Sequence, residues 1–128
     1  MPLSVVLSNT AGVPIYEQIA QQVRDAILTG QVEADEMLPS IRALARDLRV
    51  SVITTTRAYN ELAAAGLIAN QAGRGSLVLP QDEAETRMRL LARLETQLDD
   101  AVATARLAGI DLPDLQERTA QRWTATKE

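Results

Sequence analysis

Ser40 and Ser51 both read as helix N-caps, and between them lies an amphipathic run, Ile41 to Leu48, that leaves only Arg49 and Val50 for the connection. A link that short makes two successive helices cross and pack directly on each other, which is the geometry of a helix-turn-helix. The first of the pair buries Ile41, Leu44, Ala45 and Leu48, while Arg42, Arg46 and Arg49, spaced by four and three, stack as one basic stripe on its other side. The second runs to about Ala65, where Gly66 stops it. Its periodicity turns Thr55, Ala58, Tyr59 and Leu62 inward and leaves Val52, Ile53, Thr56, Arg57 and Asn60 outward.

The flanking segments complete a recognisable unit. A short β-like run, Leu3 to Leu7, and a turn-rich SNTAG precede a helix that begins at Pro14 and ends before Gly30. Ile15, Ile19, Val23 and Ile27 recur every fourth residue, and Tyr16, Ala20 and Ala26 widen the stripe, with both tyrosines read as core residues rather than stacking platforms. Beyond the third helix, two β-prone runs, Leu67 to Gln71 and Ser76 to Leu79, are joined by AGRG, whose glycines allow the positive φ of a hairpin turn. Three helices followed by such a hairpin predict a helix-turn-helix with a β-wing, whose second paired helix lies in a DNA major groove while the first crosses the backbone.

The remainder reads as a tail of two helices. One long pattern from Asp82 to Ala108 places Leu90, Leu91, Leu94, Leu98, Ala101, Val102 and Ala105 on a wide apolar stripe and spans about 40 Å if unbroken. Asp111 then caps a last helix to about Trp123, with Ile110 and Leu115 placed as a hydrophobic staple. One short helix is too small to cover that stripe, so a second copy of the chain is the expected partner.

Composition removes most chemistry. With no Cys and no His among 128 residues, zinc sites of the Cys/His type, thiolate and Ser-His nucleophiles and disulfides are excluded. No enzyme activity, metal or cofactor is expected. No stretch approaches the roughly 18 apolar residues of a membrane span, and the N-terminus lacks the pattern of a signal peptide, so the expected location is cytoplasmic. The net charge of -4 argues mildly against a polyanionic partner. Its distribution reverses the argument, because from Ser40 to Pro80 five arginines (Arg42, Arg46, Arg49, Arg57, Arg74) face two acids, Asp47 and Glu61.

The stretch from PIYEQIAQQVRDAILTG through LPSIRALARDLRVSVITTTRAYNELAAAGLIANQAGRGSLV resembles the winged helix-turn-helix domain of GntR-family bacterial transcription regulators, over Pro14 to about Val78. The 48-residue tail looks like the short dimerisation domain of the YtrA subfamily, and neither the larger ligand-binding domains of other subfamilies nor the aminotransferase-like domain of the MocR type is expected. The resemblance implies that Ser40 and Arg42 contact the DNA backbone or base edges beside it. It also implies that Ser51 and Thr54 donate to phosphate at a helix N-terminus, where free N–H groups favour anions. Arg74 and Gly75 are implied to serve the wing in the minor groove.

Departures from the family pattern matter as much. Where many members carry an Arg just after the cap of the third helix and another four residues on, this chain has Val52 and Thr56. Bidentate guanine readout is therefore not expected there; Val52, Ile53 and Thr56 suit thymine methyls, and Arg57 and Asn60 are the polar candidates. Arg49 replaces the usual turn glycine, which either strains the turn or aims another guanidinium at phosphate, and EADE stands where a Pro-Gly pair is common.

The expectation is thus a mainly α protein with a small β-wing. Residues 1–80 form a winged helix-turn-helix DNA-binding domain, and residues 81–128 form a two-helix dimerisation domain built on Leu90, Leu91, Leu94, Leu98, Ala101, Val102 and Ala105. The expected function is that of a homodimeric, sequence-specific regulator, a repressor on a near-palindromic operator of a transporter operon. Any small-molecule effector would sit at the dimer or interdomain interface, and no membrane partner is expected. The competing expectation is a winged-helix module that binds protein without specific DNA binding, as the acidic total charge permits.

Overall fold

The computed structural model describes residues 3–9 and 12–126 and divides into two compact units, Met1–Glu83 and Ala84–Glu128. The first unit holds α1 (Ile15–Leu28), α2 (Ile41–Leu48), α3 (Val52–Ala64) and the hairpin β1 (Ile68–Gln71) and β2 (Gly75–Val78); α4 (Glu83–Leu107) and α5 (Leu112–Ala125) follow. The protein is mainly helical with a small antiparallel wing, as the sequence predicts. Pro14 stands one position before the helix rather than inside it, and its carbonyl accepts from the Glu17 and Gln18 amides at 3.1 Å.

The core is aliphatic around one aromatic ring. Ile19, Val23 and Ile27 of α1 meet Leu44 of α2, Ala58, Tyr59 and Leu62 of α3, and Leu67, Ile68 and Val78 of the wing. Tyr59 is fully buried, and its hydroxyl donates to the Pro39 carbonyl at 2.7 Å. Burial pushes that phenol well above its usual pKa, so it remains a donor and fixes the chain where α2 begins. Among the described residues no buried side-chain polar atom lacks a partner.

Two segments depart from expectation, and each gets its hydrogen bonds from an element remote in sequence. The Leu3 to Leu7 run is extended but joins no sheet. Leu3, Val5 and Leu7 pack against the core while Val6 is exposed, and α1 supplies the backbone partners through glutamine amides. Gln22 accepts from the Val6 amide (2.8 Å) and donates to its carbonyl (2.7 Å); Gln18 accepts from the Ser8 amide (2.8 Å) and donates to the Ser8 and Val13 carbonyls (2.7 and 2.8 Å). Each primary amide imitates a neighbouring strand. Of the SNTAG turn, Thr10 and Ala11 lie outside the described residues.

The second departure gives the wing an extra edge. Within the EADE stretch the chain turns at Asp35, whose φ of 72° suits a short polar side chain, and runs along β2. The Asp35 amide donates to Val78 O (2.8 Å), Val78 N–H to Glu36 O (2.9 Å), and Leu38 N–H to Ser76 O (2.9 Å). β2 is therefore flanked on both sides, which anchors the wing to the segment leading into α2.

In the second unit, Gly109 (φ 71°) turns the chain after α4, and Asp111 caps α5 by accepting from the Asp114 amide at 3.0 Å. Leu90, Leu91, Leu94, Leu98 and Val102 remain between 38% and 48% exposed along α4. Ala105 does not belong to this open stripe. It is buried, and it lines a depression between α4 and α5 with Ala101, Ile110 and Leu115, because the short turn brings α5 back over the end of α4.

Candidate nucleic-acid interface

Both helices of the pair start on a serine that caps as expected. Ser40 Oγ accepts from the Ala43 amide, and Ser51 Oγ accepts from the Thr54 amide, each at 3.0 Å. Ser51 and Thr54 hydroxyls also share one hydrogen bond at 2.8 Å. One of their two protons is then left for an outside acceptor at the positive end of α3, which suits phosphate oxygen.

The turn between the helices closes on Arg49 in the left-handed region (φ 58°, ψ 45°), with Arg49 N–H donating to Arg46 O and Val50 N–H to Ala45 O. This is the residue that stands in place of the usual turn glycine, and it carries the steric cost of a Cβ in that conformation, about 1–2 kcal/mol. Its side chain has no hydrogen bond or ion pair within the described residues, nor have those of Arg42 and Arg74. Arg46 makes only a long 3.8 Å contact with Asp47, both side chains well exposed, so its charge is hardly tied up. Replacing Arg49 by Gly should therefore raise stability by about 0.5–1 kcal/mol while reducing affinity for duplex DNA. Thermal melting and a binding titration on the same sample test both halves, and a fall in melting temperature would show that the arginine stabilises the turn.

The outer face of α3 is open and largely uncharged. Val52 is 43% exposed and Ile53 82%, so two adjacent apolar side chains face outward from the start of α3. Thr56 donates its hydroxyl to Val52 O at 2.8 Å, which spends its donor on the helix itself. Asn60 is turned toward the wing, where Asn70 Nδ2 donates to its Oδ1 at 3.4 Å and Ser76 Oγ donates to Asn70 Oδ1 at 2.7 Å. A chain of polar contacts thus runs from the recognition helix to β2 and fixes the wing beside it.

The wing tip is the three-residue loop Ala72, Gly73 and Arg74 between the paired Gln71 and Gly75. Gly73 (φ 75°) and Gly75 (φ 100°) take conformations that side chains resist, and a Cβ on Gly75 would lie 3.0 Å from Met37 Cε. Gly75 has a structural reason to be glycine, and Arg74 stands at the exposed tip.

Arg57 is engaged within the protein. Its guanidinium lies 3.8 Å from the centroid of the Tyr16 ring, and Nη2 donates to the Tyr16 hydroxyl at 3.1 Å. Tyr16 is half-buried and packs against the core as expected, but its ring is also a stacking platform, for the protein's own arginine, which the sequence reading did not expect; Tyr59 is the fully buried tyrosine. The hydroxyl in turn donates to Glu17 at 3.2 Å, and desolvation, followed by that bond, raises the phenol above its usual pKa. Periodicity hid the pairing because a residue at the margin of an apolar stripe looks like core, and its partner lies 41 positions away.

The described residues hold no group of three or more His, Cys, Asp or Glu placed to bind a metal ion, and no described helix is long and apolar enough to cross a membrane. Residues 15–78 match the family model described as bacterial regulatory proteins, gntR family. The chain is 32% identical over 113 residues to the HTH-type transcriptional repressor YtrA of Bacillus subtilis (strain 168), covering 88% of this chain and 87% of that one. The solved YtrA from Sulfolobus acidocaldarius, a GntR-family transcription factor, is similar with a TM-score of 0.57 at 25% identity, covering 97% of this chain and all of that one. The solved AraR(DBD) in complex with operator ORX1 is similar with a TM-score of 0.54 at 25% identity, covering 61% of this chain and 98% of that one.

Proposed function

The chain belongs to the gntR family of bacterial regulatory proteins and is a DNA-binding transcription regulator, and from that premise we propose that it represses transcription as a homodimer on a near-palindromic operator. Members of this family are transcription regulators and not enzymes. The observation that carries the reading is the pairing of unneutralised arginines with an exposed apolar helix face. Among the described residues Arg42 and Arg49 have no side-chain partner and Arg46 has only the long, exposed contact with Asp47, while Val52, Ile53 and Thr56 offer methyl groups on α3. Phosphate contacts would set the register and methyl contacts would select thymine.

In detail, Ser40, Arg42, Arg46 and Arg49 hold backbone on one side of the groove, Ser51 and Thr54 hold the phosphate at the N-terminus of α3, Val52, Ile53 and Thr56 face bases, and Asn60, whose Oδ1 accepts from Asn70 of the wing, keeps its amide N–H groups for a DNA acceptor. Arg74, on its glycine-flanked tip, enters the neighbouring minor groove. Dimerisation through Leu90, Leu91, Leu94, Leu98, Ala101 and Val102 covers the open stripe of α4 and presents two recognition helices to two half-sites. The relative named a repressor supports repression, by occupation of a promoter in the cytoplasm.

Selection of bound duplexes from a random library tests this directly. The expected result is a symmetric pair of half-sites with A/T at some contacted positions, bound with an affinity that falls steeply with salt. Uniformly G/C-rich half-sites would contradict the methyl contacts. Salt-insensitive binding, or none, would favour the protein-binding module instead.

A further inference from the structure

Arg57 has an acidic neighbour one helical turn away, Glu61, yet among the described residues it forms no ion pair. Its guanidinium lies instead on the ring of Tyr16, in the first turn of α1, with one N–H spent on the phenol oxygen. Stacking on a ring leaves the cation's full charge in place, and the other in-plane N–H groups stay available. The side chain is also drawn sideways, off α3 toward the neighbouring helix. An arginine that reads guanine has to extend from its helix to the base edge. One held against α1 reaches the rim of the groove, where the phosphates are.

We propose that Tyr16 is a positioning residue for DNA binding, holding Arg57 as a phosphate contact at the edge of the major groove rather than as a base reader. The inference rests on the DNA-binding reading above and adds to it a residue outside the helix-turn-helix. Tyr16 acts by pre-organisation. A free arginine surrenders much rotamer entropy when it grips a phosphate, and one already stacked and hydrogen-bonded surrenders less. The same contact ties α1 to the outer side of α3, so the first helix of the domain contributes to affinity without touching a base.

The experiment is a salt series of fluorescence anisotropy titrations with the full-length protein, on a selected operator and on a random duplex. Wild type, Tyr16→Phe, Tyr16→Leu, Arg57→Ala and the double variant Tyr16→Leu/Arg57→Ala are compared, with a thermal melt of each. Arg57→Ala should weaken binding to both duplexes by the same factor and lower the salt slope by about one. Tyr16→Leu should cost about five- to tenfold on both. Tyr16→Phe, which keeps the ring, should cost less, and the double variant should bind no worse than Arg57→Ala alone.

A purely structural role for Tyr16 would lower the melting temperature and add its loss to that of Arg57→Ala; such additivity overturns the proposal. So does relaxed selectivity at one base position in Arg57→Ala, the mark of a base reader. The wild-type titration tests the parent reading separately, since a wild type without salt-dependent duplex binding overturns the function and this inference together.

Discussion

Replacing Leu94 and Leu98 together by aspartate is expected to give a monomer that has lost most of its operator affinity. These residues sit one turn apart on α4 and are 46% and 48% exposed, close to half of each side chain. Covering a leucine is worth about 1.5–3 kcal/mol, and two-fold symmetry counts each position twice. Aspartate removes that gain and adds four carboxylates to the seam, whose desolvation an apolar surface cannot repay. The winged unit has its own core and should keep its fold, read by circular dichroism. Loss of the partner should reduce operator affinity by about 10²–10⁴-fold, because the second half-site is no longer bound at high effective concentration. Affinity for a single half-site should hardly change. Sedimentation equilibrium at micromolar protein supplies the mass; a variant that stays dimeric places the interface elsewhere.

The second large effect concerns specificity. Val52→Arg with Thr56→Arg puts two guanidinium forks on the exposed face of α3, at the positions where many relatives in the resemblance carry arginine. Each bidentate contact to guanine is worth about 1–3 kcal/mol, a preference of roughly ten- to over a hundredfold per position. The selected half-sites should therefore change from thymine to guanine at the contacted positions, with the symmetry of the operator retained. Val52 is 43% exposed and Thr56 is half-buried, and neither belongs to the buried core, so the fold should tolerate the change. Identical half-sites from the variant and the parent would mean that this face of α3 does not read bases.

How much was legible beforehand depended on the range of the interaction. The Ser40, Ser51 and Asp111 caps act over three residues, and the helical stripes over four, so local sequence carries them. Gly66 and Gly109 punctuate helices for the same local reason. The pairing of the segment from Asp35 to Leu38 with β2 left no local signal, because the two lie about forty residues apart in the chain. The N-terminal run looked like strand because alternation alone cannot say whether a sheet edge is there to receive it; two glutamines of α1 receive it instead. Ala105 has the same heptad-like spacing as its neighbours, and only the fold-back of α5 separates it from them.

The sequence by itself determined the order and ends of the helices, the hairpin, and the placing of five arginines against two acids in the segment that holds them. Those properties are set by caps, periodicity and composition, which act along the chain. The tertiary structure decided which charges stay free. Among the described residues the side chains of Arg42, Arg49 and Arg74 were left without partners, Arg57 was drawn onto Tyr16, and Arg49 was held in a left-handed turn that its neighbours on α2 close. A side chain of that length has several partners within reach, and the packing of α1 against α3 selects among them.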